Sequence, residues 1–392
     1  MAQAALSFAR KQKLRTLAHR MNKQNDMPIP VIRPLLDVMD LVMDEAETDF
    51  LLKLKEEPCE AGELAALSGL PEKEFGELFV RLKKKGLLWE QIGQPSTYHL
   101  APILVGWMEL QLCRGGEGER EREFVRRFDA MIGALKKATV WPIRNVQNLF
   151  YRFGTVPYQS IAPAGSPSRE AGKPIIRVDR QVDHGGFSIY PSQDAYELVE
   201  KFGEKGQVAL AHCFCRQWRK MADDPCRFGL EAESCLILGE MALHVIREEF
   251  GRAISGDEAL AVLKKARDAG VVHTVFHERD NTDNPQAAVC NCCWDCCGVL
   301  GSYNRGIMPL HFKCYYVARI EDPDACTGCG ECEWHCPTAA VKVVNGRVEV
   351  REEKCIGCGQ CAHQCPNDVL LLDYRARDVF LPILKKSEAR LA

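Results

Sequence analysis

The sequence predicts an α+β chain in three parts: a helical N-terminal domain, a mixed helix-and-strand middle segment rich in cysteine, and a compact C-terminal module. Three observations carry this expectation. Apolar residues in the N-terminal half recur at helical spacing. The 392 residues include 20 cysteines, of which only Cys59 and Cys113 precede Cys213. Near the C-terminus one cysteine pattern occurs twice, on either side of a hairpin signal.

Composition narrows the function classes. A 46% share of hydrophobic residues supplies real cores, and a net charge of −3 excludes a globally basic chain. No run approaches the ~18 apolar residues of a membrane span. From Met1 to Met27 the chain is basic (Arg10, Lys11, Lys13, Arg15, Arg20, Lys23) but lacks the apolar core of a signal peptide. The expectation is therefore a cytoplasmic chain, in which dense cysteine reads as metal binding rather than as disulfides.

Residues 1–153 are expected to form the helical domain. Leu51, Leu52 and Leu54 mark one helix, and Ala61, Leu64, Ala65 and Leu67 a short second one closed by Gly69. Pro71 sits where a first helical residue belongs, and Phe75, Leu78, Phe79 and Leu82 follow at i, i+3, i+4 and i+7. Leu87 to Trp89 and Thr97 to Leu100 read as two strands around the turn Gly93-Gln94-Pro95-Ser96. This order over 46–102 resembles a winged helix. Lys73, Arg81, Lys83, Lys84 and Lys85 stand against Glu72, Glu74, Glu77 and Glu90, a net of +1. That is a weak footprint for neutralising phosphates, so nucleic-acid binding is not expected and packing or partner docking is. Arg114 to Glu123 mixes both signs and reads as solvated, and residues 154–174, with four prolines, read as a linker.

In the middle segment, 175–314, Ile175 to Val178 and Val271 to His277 read as strands, with His273 and His277 structural. Leu236, Met241, Ala242, Val245 and Ile246 suggest a helix just after Cys235. Ser255-x-x-Glu258 is a capping box that opens another, stopped by Gly270. Nine of its ten cysteines lie in two bunches, Cys213, Cys215, Cys226 and Cys235, then Cys290, Cys292, Cys293, Cys296 and Cys297, and Cys314 is left over. Each bunch is large enough for one four-thiolate site, or the two share sites. Adjacent cysteines in extended chain point to opposite faces, so Cys292/Cys293 and Cys296/Cys297 suit two sites or a site and a thiol pair. One or two further iron–sulfur clusters, with zinc as the alternative, are expected. Arg216, Arg219 and Lys220 lie close enough in sequence to balance thiolate charge.

Residues 315–373 hold the strongest signal. Cys326-x2-Cys329-x2-Cys332-x3-Cys336-Pro337 is repeated as Cys355-x2-Cys358-x2-Cys361-x3-Cys365-Pro366. This spacing resembles that of bacterial two-cluster ferredoxins, in which the fourth cysteine serves the other cluster. The resemblance assigns Cys326, Cys329, Cys332 and Cys365 to one [4Fe–4S] cluster and Cys355, Cys358, Cys361 and Cys336 to a second. Residues 374–392 are left as a tail.

The block from about Pro191 to Leu372 further resembles a family of ferredoxin-like iron–sulfur proteins from anaerobic bacteria and archaea. The residues that carry this are His212-Cys213-Phe214-Cys215-Arg216, Cys235-Leu236, Ser255 to Gly270, Cys290 to Cys297 and Cys326 to Pro366. The resemblance implies an electron-transfer protein, a carrier or relay subunit of an oxidoreductase with redox-protein partners. Two other readings are an oxidoreductase with a catalytic cluster or thiol pair in 213–297, and a redox-sensing winged-helix regulator. No GxGxxG fingerprint or P-loop supports nucleotide binding.

Overall fold

The computed structural model describes residues 6–23, 29–138, 145, 148–149, 152, 158–161, 182–184, 187–189, 195–277 and 286–391. The chain forms two compact units, Met1–Leu135 with Leu243–Arg252, and Lys136–Ala242 with Ala253–Ala392. Helices and strands are mixed, as an α+β chain requires.

The first unit opens with three helices, Phe8–Asn22, Arg33–Val42 and Glu45–Lys53. Leu14, Leu17, Ala18 and Met21 repeat at helical spacing and are buried. One cation of the basic start is built into the interior. Arg10 is buried, with Nε donating to Asp40 at 2.8 Å and Nη1 to Thr48 Oγ1 at 2.7 Å. Strand β1 (Cys59–Glu60) and helices Ala61–Ser68 and Glu72–Lys84 follow, then β2 (Leu88–Gln91) and β3 (Thr97–Leu100), paired in the order β1-β3-β2. Pro71 stands one residue earlier than expected, as the N-cap of Glu72–Lys84. The cations at the end of that helix are taken up internally. Lys83 meets Glu248 at 2.7 Å, Lys84 meets Glu249 at 2.5 Å, and Lys85 meets the buried Glu47 at 2.6 Å. Cys59 and Cys113 are buried, as expected of small hydrophobes.

The second unit is organised by an eight-stranded sheet. Its strands are β4 (Tyr158–Ile161), β7 (Val208–His212), β8 (Glu233–Leu238), β9 (Arg252–Ala253), β10 (Val272–His277), β11 (Gln286–Cys292), β12 (Leu310–Ile320) and β15 (Leu370–Leu381). They lie in the order β15-β12-β4-β10-β11-β8-β7-β9, and hairpins β5 (Val182–His184) with β6 (Phe187–Ile189) and β13 (Val341–Val344) with β14 (Arg347–Val350) stand apart. Helices Ala195–Gly203 and Gly256–Asp268 pack together, and a Cβ on Gly203 would lie 2.8 Å from the Gly256 Cα. Ser255 caps the second of these by accepting from Glu258 N at 3.1 Å.

Two local expectations change. Tyr158–Ile161, read as linker, is a strand between β10 and β12, because it finds partners in the sheet; the rest of 154–174 and the strand expected at 175–178 lie outside the described residues. Leu236, read as helical, lies in β8, and the helix begins only at Gly239, whose φ of +65° turns the chain. Pairing with β7 and β11 overrides the helical spacing there.

Strands β12 and β15 position the C-terminal module. They pair from Leu310↔Leu381 to Ile320↔Leu370, so the duplicated motif leaves the sheet and returns to it at adjacent points. Residue 314 lies inside β12, and the sheet runs on from the middle segment into the module.

Candidate metal centres

Both copies of the duplicated motif are built alike. A single 3-10 turn, Pro323–Ala325 or Glu352–Lys354, delivers the first cysteine. A glycine in the left-handed region, Gly330 (φ +87°) or Gly359 (φ +76°), opens the short helix that carries the third. Cys326, Cys329, Cys332 and Cys365 line one cavity together with Val343, Val348 and Leu370. Cys336 lies instead beside Cys355, Cys358 and Cys361. Cys365 of the second copy thus lines the cavity of the first three cysteines of the first copy, and Cys336 lies near the first three of the second.

Backbone amides point at these sulfurs. Ala340 N donates to Cys336 Sγ at 3.2 Å, Ala318 N to Cys355 Sγ at 3.4 Å and Val369 N to Cys365 Sγ at 3.4 Å. Such donors stabilise negative charge on a metal-bound sulfur. Burial does the opposite. It pushes Cys332 up to about 11, with Cys365 and Cys329 adding to the rise, and pushes Cys358 and Cys361 further up. Thiolates so placed need a cation at their centre. The soft sulfur donors, the amide donors and the apolar walls fit an iron–sulfur cluster in each cradle.

The middle cysteines sort into two groups. Cys213 follows β7 as the N-cap of helix Phe214–Met221, and Cys215 lies in its first turn. Cys235 is on β8, and Cys290 and Cys292 are two apart on β11, the neighbouring strand. Cys213 touches Cys215, Cys290 touches Cys235 and Cys292, and Cys292 touches Cys297. Cys297 is buried and the other five are half-buried. A Cβ on Gly298 would lie 3.0 Å from Cys215 Sγ, so the glycine keeps room for sulfur. Contact between thiols, then burial, holds Cys215, Cys290, Cys292 and Cys297 well above the ordinary thiol range. Cys213 is drawn down to about 6 by its hydrogen bond with Cys215, helped by Arg216 and backbone amides.

Cys226, Cys293 and Cys296 form the second group, with their sulfurs all within 4.8 Å of one another. The grouping therefore differs from one site per bunch, because β8 and β11 are neighbours and mix the bunches. Cys226 parts from Cys213, Cys215 and Cys235, while Cys290, Cys292 and Cys297 join them. Cys292/Cys293 and Cys296/Cys297 each divide between the two groups, although β11 ends at Cys292 and residues 294–296 form a turn.

Arg216 lies between these groups, 3% exposed. Its Nη1 donates to Ser234 Oγ at 2.5 Å and its Nη2 to Asn291 O at 3.2 Å, and its charge acts on Cys213, Cys296 and Cys226. Arg219, by contrast, pairs with Asp224. His273 is structural: its Nδ1 shares a hydrogen bond with Asn291 Oδ1 at 2.7 Å, and burial pulls it down to about 4, leaving it neutral. The side chain of His277 lies outside the described residues. Cys314, left over in the sequence, is fully buried in the apolar cluster that also contains Cys358 and Cys297.

Asp295 and the pair Trp294 and Trp334 had no functional signal in the sequence. Trp294 Nε1 donates to Trp334 O at 2.8 Å, tying the cysteine run to the first ferredoxin-type copy. Only their position inside the two cysteine motifs could have drawn attention to them.

Among the described residues, no helix is long and apolar enough to cross a membrane. No curated protein and no solved structure matches the chain. Residues 318–366 match the family model of the 4Fe-4S dicluster domain, so the C-terminal module is an iron–sulfur, metal-binding domain of ferredoxin-like type.

Proposed function

We propose that the chain is an electron relay: the C-terminal module exchanges single electrons with a redox partner, and the six-cysteine group of the middle segment holds a further cluster at the inner end. The bound clusters would supply one-electron chemistry. The observation that carries this reading is one buried apolar cluster containing Cys358, Cys314 and Cys297, with Cys292 packed against it. It joins the inner ferredoxin-type cradle to the six-cysteine group. At the other end Cys329 is exposed, and Cys326 and Cys365 are half-buried, which suits exchange with a partner.

The residues do the rest. Cys326, Cys329, Cys332 and Cys365 hold the outer cluster, and Cys336, Cys355, Cys358 and Cys361 the inner one. Ile356, Phe312 and Leu300 are buried in the same cluster as Cys358 and Cys297, which would keep it dry. The winged-helix-like segment of the first unit is assigned to protein docking. Its helix-end cations are engaged by Glu248, Glu249 and Glu47, which leaves little charge for phosphates.

Stepwise reduction followed by electron paramagnetic resonance, on protein purified without oxygen, tests the reading. At least three cluster signals are expected, and Cys297→Ser should remove or shift one while the two ferredoxin-type signals persist. Two signals that are unchanged in Cys297→Ser would sink the relay into the middle segment.

A further inference from the structure

We infer that Cys226, Cys293 and Cys296 form a mononuclear zinc centre, distinct from the iron–sulfur cradles, with three protein thiolates and an exchangeable fourth ligand. The inference does not depend on the relay.

The spacing of the sulfurs is the first argument. Three thiolates on one zinc at about 2.3 Å, in tetrahedral directions, stand about 3.8 Å from one another. Cys226 Sγ lies 3.7 Å from Cys293 Sγ, which lies 3.1 Å from Cys296 Sγ. A cubane spreads its thiolates further, because each binds a different iron. The same chain provides the contrast: among the described residues, only this trio draws its sulfurs within 4.8 Å of one another, and the ferredoxin-type cradles do not. A disulfide is no better match, since 3.1 Å is far beyond the ~2.05 Å of an S–S bond and a third sulfur stands alongside.

The surroundings are built for a fixed, charged centre. Cys296 N donates to Cys293 Sγ at 3.2 Å, as a two-residue gap between ligands allows. Asp295, 1% exposed, accepts from Arg227 N at 2.9 Å and so ties the Cys293–Cys296 loop to the residue after Cys226. Arg305 Nη1 donates to Asp295 O on the same loop. Phe228 packs edge-on against Trp294 at 5.6 Å and fixes the loop further. Three thiolates on a divalent ion leave one negative charge, and the buried Arg216 guanidinium against Cys226 supplies the opposite one. Three protein ligands with one open position is the arrangement of zinc sites that bind water or a substrate atom.

Zinc and iron analysis of the full chain, purified without oxygen or added thiols, with X-ray absorption at the zinc edge, tests this. About one zinc per chain is expected, with three sulfurs at about 2.3 Å and one lighter atom. Cys226→Ser should lose the zinc and keep its iron. Absence of zinc, a shell of four sulfurs, zinc unaffected by Cys226→Ser, or a Cys293–Cys296 disulfide found after alkylation would each overturn it. So would a loss of about four iron in Cys226→Ser, which would make the trio part of a cluster site. If Cys226→Ser does not accumulate, the absorption spectrum of the unaltered protein decides alone.

Discussion

The two cradles of the C-terminal module share a spacing and a local build but not an environment. Cys329 is exposed, while Cys336, Cys355, Cys358 and Cys361 are all buried. The residues between the cysteines follow that difference. Thr327 is exposed where the second copy has Ile356, 1% exposed. Glu331 is exposed where the second copy has Gln360, fully buried with its Nε2 donating to Val271 O at 2.6 Å. Half-buried Glu333 corresponds to Ala362, 1% exposed. The cysteines set what is held. The residues between them set how far it stands from solvent.

The largest expected effect comes from removing one ligand on each side. Cys358→Ser and Cys329→Ser should each lose about four iron. Only Cys358→Ser should also lower the melting temperature strongly, because it empties a buried site. Equal melting temperatures would remove the distinction between inner and outer cradles.

Next comes the backbone. Gly357 has a φ of +68°, and a Cβ there would overlap the Tyr316 carbonyl oxygen. Gly330 has a φ of +87°, with nothing within 4 Å of an added Cβ. Gly330→Ala should cost about 1 kcal/mol of conformational strain. Gly357→Ala should cost clearly more, because a carbonyl of β12 must also move, and denaturant titration reads the difference.

The smallest effects come from exchanging the intervening residues. Ile356→Thr should destabilise by about 2 kcal/mol, through lost apolar burial and a hydroxyl brought indoors. Thr327→Ile should stay within about 0.5 kcal/mol, as surface substitutions do. Chemical denaturation of the two variants checks this, and similar values would show that the cradles do not differ in burial.

Much of this was readable in advance where chemistry fixes spacing. The eight cysteines of the repeat, the hairpin at Asn345-Gly346 and the helix opened by Ser255 follow from local rules. Thr327 against Ile356 was visible too, but its meaning needed the neighbours. The middle cysteines could not be grouped from sequence, because Cys235 and Cys290 meet only through the pairing of β8 with β11, 55 positions apart. Leu236 was misread for the same reason: its strand exists through partners far along the chain. Arg10 is one cation of a basic start, and only the Asp40 and Thr48 side chains opposite reveal it as buried.

Iron and acid-labile sulfide per chain, measured on protein purified without oxygen, test the central claim most directly. The account predicts about 12 of each, two clusters in the repeat and one in the six-cysteine group. About eight of each would confine the clusters to the repeat and contradict a relay that runs inward from it.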